Sequence, residues 1–315
     1  MMQDTRNRAP APGIRCDTRD HIPVDRKLRI DHGDIAQRIA AMPKTPPGTL
    51  GLIIANGILF AITYMVSGME GPMIEALALF FPLNERFQIW QFVTNLFMHG
   101  SIAHLFFNMF GLYTFGMVLE TLWGTRKFLA FFFVTGIGAG AIYLAVNFAQ
   151  FNGVYGDLSE QGLSEQHLEI RLDEVSKLYD KRLEPRNYQN FTYSGQTPPR
   201  GQETVSEERL QDFYGNYAIP ALGASGAIYG ILVAFCLLFP DTKLMFIFVP
   251  IPIAAKIVVP ILILLDLFSG VTGFSLFGGG IAHFAHIGGA LIGFLLMLYW
   301  RKRRAPQNEY GPIDV

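Results

Sequence analysis

The residues of this 315-residue chain that could do chemistry are few, and each sits in a strongly apolar stretch. Ser225 lies in PALGASGAIYGIL, residues 220–232, where Gly223, Ala224 and Gly226 leave a hydroxyl among side chains of almost no bulk. His283 and His286 lie in IAHFAHIGGALIG, ahead of Gly289 and Gly293. His99, His104 and Asn108 lie in HGSIAHLFFN, and His104 and Asn108 are four apart, so on a helix they share a face. A hydroxyl, an imidazole and neutral donors are the parts of an acyl-transfer site. The imidazole takes the hydroxyl proton, and the donors meet the charge that develops on the attacked carbonyl oxygen. Ser225 is then the nucleophile and His286 the base. His104 and Asn108 are side-chain donors, beside the N–H of Ser225 at the positive end of a helix. Tyr229, one turn beyond Ser225, can pack against the imidazole. No carboxylate is expected on a facing segment at the depth of the histidine, so a dyad is expected and Asp266 is given no role.

Positioning these residues falls to membrane helices. Half of the residues are hydrophobic, 27 of them Phe, and they come in long blocks without a period of 3.6 or 2. Blocks of roughly 17–25 residues match the hydrocarbon thickness of a bilayer. Six qualify, at 49–66, 102–122, 127–149, 218–239, 254–269 and 281–300, which predicts an all-α polytopic membrane protein with a six-helix bundle. Arg126 and Lys127, Lys243, and the run Arg301–Arg304 mark the cytoplasmic side by the positive-inside rule. Both termini are then cytoplasmic, and a polar insert of 68 residues, 150–217, is extracytoplasmic. The expected organisation is a flexible polar tail at 1–48, a membrane domain at 49–300 carrying that insert, and a tail at 301–315. The first 48 residues lack the apolar core of a signal peptide, and with the compact six-span plan this points to a bacterial inner membrane. A net charge of −1 offers no basic face for nucleic acid, and Cys16 and Cys236 do not form a disulfide framework.

Depth makes the constellation informative. Spans two, four and six all run inward from the outer side. Ser225 lies seven residues into its span, roughly 10 Å down at the helical rise, and His286 roughly 7–8 Å. His104 and Asn108 bracket that level at roughly 3 and 9 Å. Polar groups inside a bilayer are costly, so agreement in depth across three helices argues for one site lining a cavity open to water. Taken singly, an intramembrane serine is most simply a packing residue, and the glycines are contact points between helices. The two readings support each other here. A Ser–His hydrogen bond needs backbones closer than Leu or Phe would allow, and Gly223, Gly226, Gly289 and Gly293 would allow it. Glu120 is expected to bond backbone groups of the short turn after span two. The interrupted apolar stretch 73–100 is expected to form short interfacial helices anchored by Trp90 and Phe92. The Pro-rich run FVPIPI should lie along the interface. Span five is the expected movable side, with the glycine-rich loop Gly270–Gly280 as its hinge or cap.

At these residues the sequence resembles the rhomboid family of intramembrane serine proteases. The matching pieces are GASG with Ser225, AHIGGALIG in an A-H-x-x-G-x-x-x-G pattern, HGSIAHLFFN in an H-x4-H-x3-N pattern, and GMVLETLWG at the end of span two. The resemblance covers roughly residues 83–300. It implies a Ser225–His286 dyad, His104 and Asn108 at the oxyanion hole, Tyr229 stacked on the catalytic histidine, and cleavage of transmembrane substrates near their outer ends. It implies no cofactor and no metal; the partners are the bilayer and membrane-protein substrates. Trp90-Gln91 stands where the family often has Trp-Arg, and the insert exceeds the compact bacterial pattern. The alternative within the family is a silent relative that binds transmembrane segments without cutting them, and its mark is loss of the serine or histidine. Haem ligation by the histidines leaves Ser225 unexplained, H-E-x-x-H is absent, and no broken-helix repeat suggests a transporter.

Overall fold

Each of the six apolar blocks contains a helix, and local sequence sets where most of them start and stop. The computed structural model describes residues 46–160, 215, 217–245, 251–272 and 282–304. The tail at 1–45, the insert at 161–214, the first half of FVPIPI, most of the glycine-rich loop and the tail at 305–315 lie outside the described residues. Helix α1 (Pro47–Met65) opens on a proline, whose missing N–H would have no helical partner there. Helix α2 (Glu70–Leu77) follows, then a turn at Gln91–Thr94. Helix α3 (Ile102–Trp123) is capped by Ser101, whose side chain accepts from the His104 N–H at 3.1 Å. It contains a π-helical turn at Leu112–Gly116 and ends at Gly124, where φ is +78°. Helix α4 (Thr125–Glu160) starts at the next residue, so α3 and α4 form a tight hairpin. Helices α5 (Ser225–Leu238), α6 (Ala255–Thr272) and α7 (His283–Arg304) complete the bundle. Between α5 and α6, β1 (Lys243–Leu244) pairs antiparallel with β2 (Ile253–Ala254).

Five of these helices are long and apolar enough to cross a bilayer, and α5 is a shorter apolar helix. The protein is an all-α polytopic membrane protein. Ile54 and Ile58 on α1, Phe106 and Phe107 on α3, Ile261 and Leu264 on α6 and Leu295 on α7 are all exposed, which suits contact with lipid chains. The core lies around α5, where Ala227, Ile231 and Ala234 pack with Leu112, Leu119, Phe128, Phe131 and Phe132.

Small residues decide how close α5 comes to its neighbours. A Cβ on Gly226 would lie 2.6 Å from the Ala139 Cβ of α4, and one on Gly293 would lie 2.6 Å from the Gly230 Cα. A Cβ on Gly289 would overlap the Gly226 carbonyl oxygen. Helices α5 and α7 therefore touch backbone to backbone over two turns, Gly226 and Gly230 against Gly289 and Gly293.

Four details differ from the sequence reading. The fourth span is not helical from 218: α5 begins at Ser225, and Ala221 before it forms an antiparallel bridge with Leu79. Helix α4 continues to Glu160, eleven residues into the expected insert; no proline lies between 150 and 160, and Gly153 and Gly156 weaken the helix without ending it. Glu120 does not bond backbone groups of its own turn. It accepts from the Gly48 and Thr49 N–H groups at 2.8 and 2.6 Å, and from the Thr49 and Thr125 hydroxyls at 2.8 and 2.7 Å. The first turn of α1 lacks acceptors, and a carboxylate on the facing helix supplies them. FVPIPI is not simply an interfacial run, because its last residue, Ile253, is paired in β2.

The interrupted stretch forms the expected short helices, with the Trp90 indole N–H donating to the Ala76 carbonyl at 2.9 Å. Gln91, at the position of the missing arginine, is fully buried. Its Oε1 accepts from Phe80 and Gln88 N–H groups, and its Nε2 donates to the Glu75 and Arg86 carbonyls at 3.1 and 2.8 Å. A neutral amide thus ties this stretch together by four hydrogen bonds.

Candidate active site

Ser225 is the first residue of α5, so its N–H has no acceptor within the helix and points out of the helix end. Gly223, two residues earlier, has φ of +119°, a region that L side chains rarely adopt. A Cβ there would also lie 2.7 Å from the Cε1 and Nε2 atoms of His104 and 3.7 Å from Asn108 Nδ2. The bare backbone at 223 thus lets α3 bring both polar side chains up to the start of α5. The Gly223 N–H donates to the Asn95 carbonyl at 2.9 Å, which fixes this segment from the other side.

On α7, the His286 Nε2 lies 2.8 Å from the Ser225 Oγ. The His286 ring stacks on Tyr229, with centroids 4.3 Å apart and planes 9° from parallel. One turn of α5 therefore carries both the hydroxyl and the ring that flanks its partner. Asn108 Nδ2 is buried and, among the described residues, has no hydrogen-bond acceptor. His99 is buried, its ring centroid 4.9 Å from that of His104. Burial first, and the neighbouring His104 second, push its pKa down to about 3, against a smaller opposing contribution from the Phe97 backbone. It therefore adds no positive charge here near neutral pH. A narrow cavity beside Ser225 is bounded by Asn95, Ala139, Tyr143, Gly223 and Ala282.

The expected absence of a carboxylate near the histidine is overturned. Asp266 of α6 is 7% exposed, and its Oδ1 lies 3.1 Å from the His286 Nδ1 and 2.6 Å from the His283 Nδ1. Its Oδ2 accepts from the Tyr229 hydroxyl. Sequence reasoning set Asp266 aside as a span-end residue. Yet the end of α6 packs against the start of α7, so a residue near that end can reach His286. His283, noted as polar but given no task, is a second ligand of the same carboxylate oxygen. Helix α6, the expected movable side, is joined to both α5 and α7 through Asp266. Its end also meets α7 directly, since a Cβ on Gly270 would lie 3.2–3.3 Å from Phe284 and His283. Asp266, His283 and His286 have ligand atoms within 4.8 Å of one another, the kind of group that can hold a metal. Their 2.6 and 3.1 Å contacts have hydrogen-bond length, and proton bridges alone satisfy them.

The structure is a multi-pass helical bundle with a serine, histidines and an asparagine gathered within it. A family model described as "Rhomboid domain" matches residues 86–156 and 204–303, just over half of the chain. The chain belongs to the rhomboid family. It is 32% identical over 90 residues to "Rhomboid-like protease 3" of Toxoplasma gondii, covering 27% of this chain and 34% of that protein. It is 26% identical over 240 residues to an uncharacterized mitochondrial rhomboid protein of Schizosaccharomyces pombe, covering 73% and 56%. It is 28% identical over 108 residues to the rhomboid protease GlpG of Yersinia pestis, covering 33% and 39%. The chain thus spans between about a third and just over half the length of these curated relatives.

Proposed function

We propose that this protein is an intramembrane serine endopeptidase that cuts transmembrane protein substrates near their extracytoplasmic ends, with Ser225 as nucleophile and His286 as base. The observation that carries this reading is the 2.8 Å contact between Ser225 Oγ and His286 Nε2. In the first half-reaction the Oγ proton passes to Nε2 as Oγ bonds to the substrate carbonyl carbon. The carbonyl oxygen becomes an oxyanion that accepts from the Ser225 N–H and the side chains of Asn108 and His104. Collapse breaks the C–N bond, and the proton on Nε2 leaves with the new amine. In the second half-reaction water loses a proton to Nε2 and attacks the acyl ester, and the proton returns to Oγ. Tyr229 holds the imidazole plane throughout, and Gly223, Gly226, Gly289 and Gly293 permit the close approach that the transfer requires. The chemistry needs no metal or cofactor, and its partners are the bilayer and single-span or multi-span substrates. The second reading, a silent relative that only binds transmembrane segments, is disfavoured because both reacting groups are in place.

We place both termini in the cytoplasm on the basic loops. The six-helix domain at 49–300 then carries an extracytoplasmic insert at 150–217, and the compact plan suits a bacterial inner membrane.

A fluorophosphonate probe tests the reading directly. It should label the wild-type protein in detergent or liposomes and should not label Ser225→Ala. Equal labelling of both would remove Ser225 from the reaction. Asn108→Ala should lower kcat about 10–1,000-fold on a single-span substrate, as loss of an oxyanion donor does. KM and probe-independent thermal stability should change little, because the Nδ2 donor gives up no bond within the protein. Unchanged kcat would take Asn108 out of the oxyanion site.

A further inference from the structure

The carboxylate behind the histidine is used by nothing in the dyad. We propose that Asp266 is a positioning residue for His286, so that the site operates as a Ser225–His286–Asp266 triad clasped across α5, α6 and α7. This rests on the serine-protease reading and deepens it.

An ionised carboxylate only accepts hydrogen bonds, and one oxygen of Asp266 lies within bonding distance of two ring nitrogens. Both the His283 and His286 rings must therefore carry their proton on Nδ1. For His286 that choice settles the reaction. With Nδ1 protonated, Nε2 holds the lone pair, and Nε2 is the atom 2.8 Å from Ser225 Oγ. The opposite tautomer would present an N–H to the serine and could not take its proton. Once the proton has moved from Oγ to Nε2, the imidazolium charge lies beside Asp266, which stays ionised; no proton passes to it.

The remaining contacts of Asp266 keep it in place. His283, one turn from His286 on α7, donates to the same Oδ1, and the Tyr229 hydroxyl from α5 donates to Oδ2. Tyr229 also stacks on His286, so carboxylate, phenol and imidazole form a closed circuit in which each fixes the next. A carboxylate 7% exposed, with both oxygens engaged, is too constrained to be an incidental polar residue at a helix end. The circuit also ties α6 to the reacting helices. A substrate that pushed α6 outward would pull Asp266 from His286 and disarm the base.

Purified full-length protein in liposomes, assayed on a single-span substrate, supplies the test. Asp266→Asn should lower kcat about 10²–10⁴-fold with KM within about threefold, as a wrongly held tautomer would. A carboxylate that served only to hold α6 in place would raise KM or lower thermal stability and leave kcat nearly intact, and that outcome would overturn the proposal. A measurement on the wild type covers the case in which Asp266→Asn fails to fold. In ¹⁵N-histidine spectra, neutral His286 should be the Nδ1–H tautomer, and an Nε2–H tautomer would overturn the proposal. Cleavage that survives Ser225→Ala would sink the serine-protease reading itself. Ser225-dependent cleavage indifferent to Asp266→Asn would sink only the triad.

Discussion

His286→Ala should reduce cleavage of a transmembrane substrate to background, a loss of at least about 10⁴-fold in kcat. A serine hydroxyl is a weak nucleophile at neutral pH, and within the site one lone pair, on His286 Nε2, lies 2.8 Å from Ser225 Oγ. His104 is nearby on α3, but it approaches the Gly223 side of the segment, where it can donate to an oxyanion rather than relieve Oγ of its proton. Alanine at 286 therefore removes the base without a substitute. Ser225→Ala should cost as much, and the double variant no more than either alone, because the two groups act as one unit. Fluorophosphonate labelling gives an independent reading: Ser225 in His286→Ala should be nearly inert to the probe although its hydroxyl is intact. Thermal unfolding should show a folded protein, since the loss is one imidazole with its stack on Tyr229 and its bond to Asp266, which keeps His283 and Tyr229 as partners. Substantial Ser225-dependent cleavage by His286→Ala would mean that another group serves as base.

The sequence made parts of this arrangement legible because a membrane removes ambiguity. A polar side chain in an apolar block must be satisfied by something at its own depth. Counting residues from the ends of the blocks suggested one layer for Ser225, His286, His104 and Asn108, although the count for Ser225 assumed a helix from 218 that begins only at Ser225. That counting passed over Asp266, because the apolar block of span five ends at 269, three residues beyond it, whereas α6 runs on to Thr272. Its link to His286 was illegible for a different reason. Span-end carboxylates are usually at the interface, and only the direction of α6 relative to α7 puts this one behind the histidine. The start of α5 was hidden because hydropathy does not distinguish helix from extended chain. The residues 218–224 are as apolar as those after them, yet Ala221 forms a bridge with Leu79 and Gly223 takes a positive φ, so no helix runs through them into α5. Glu120 looked like the partner of its own turn because nothing in the sequence reveals that α1 starts against it. Long-range pairing of a carboxylate with a bare helix end depends on how helices pack, and that depends on every glycine in the interface.

One of those glycines carries the second large effect. Gly289→Ala adds a single methyl and should lower kcat at least about 100-fold while reducing thermal stability. The reason is geometric. The added carbon would overlap the Gly226 carbonyl oxygen, which belongs to the backbone of α5 and cannot turn aside as a side chain could. Either α7 moves away from α5 or the turn of α5 that carries Ser225 distorts. Gly226 directly follows Ser225, and Gly289 is three residues from His286, so the displacement falls on the reacting pair. A misplacement of about 1 Å can cost about 10²-fold in rate. Hydrogen bonding is just as sensitive, because the 2.8 Å contact has little room to lengthen before it ceases to conduct a proton. Overpacking of this kind also costs about 1–3 kcal/mol of stability. Gly57→Ala is the matched control. A Cβ there meets nothing within 4 Å, and alanine favours a helix over glycine by about 1 kcal/mol, so that variant should be as active as wild type and no less stable. If Gly289→Ala instead kept full activity, close contact of α5 and α7 could not be what brings the hydroxyl to the imidazole. Loss of stability without loss of kcat would likewise separate the glycine seam from the chemistry, leaving it as packing alone.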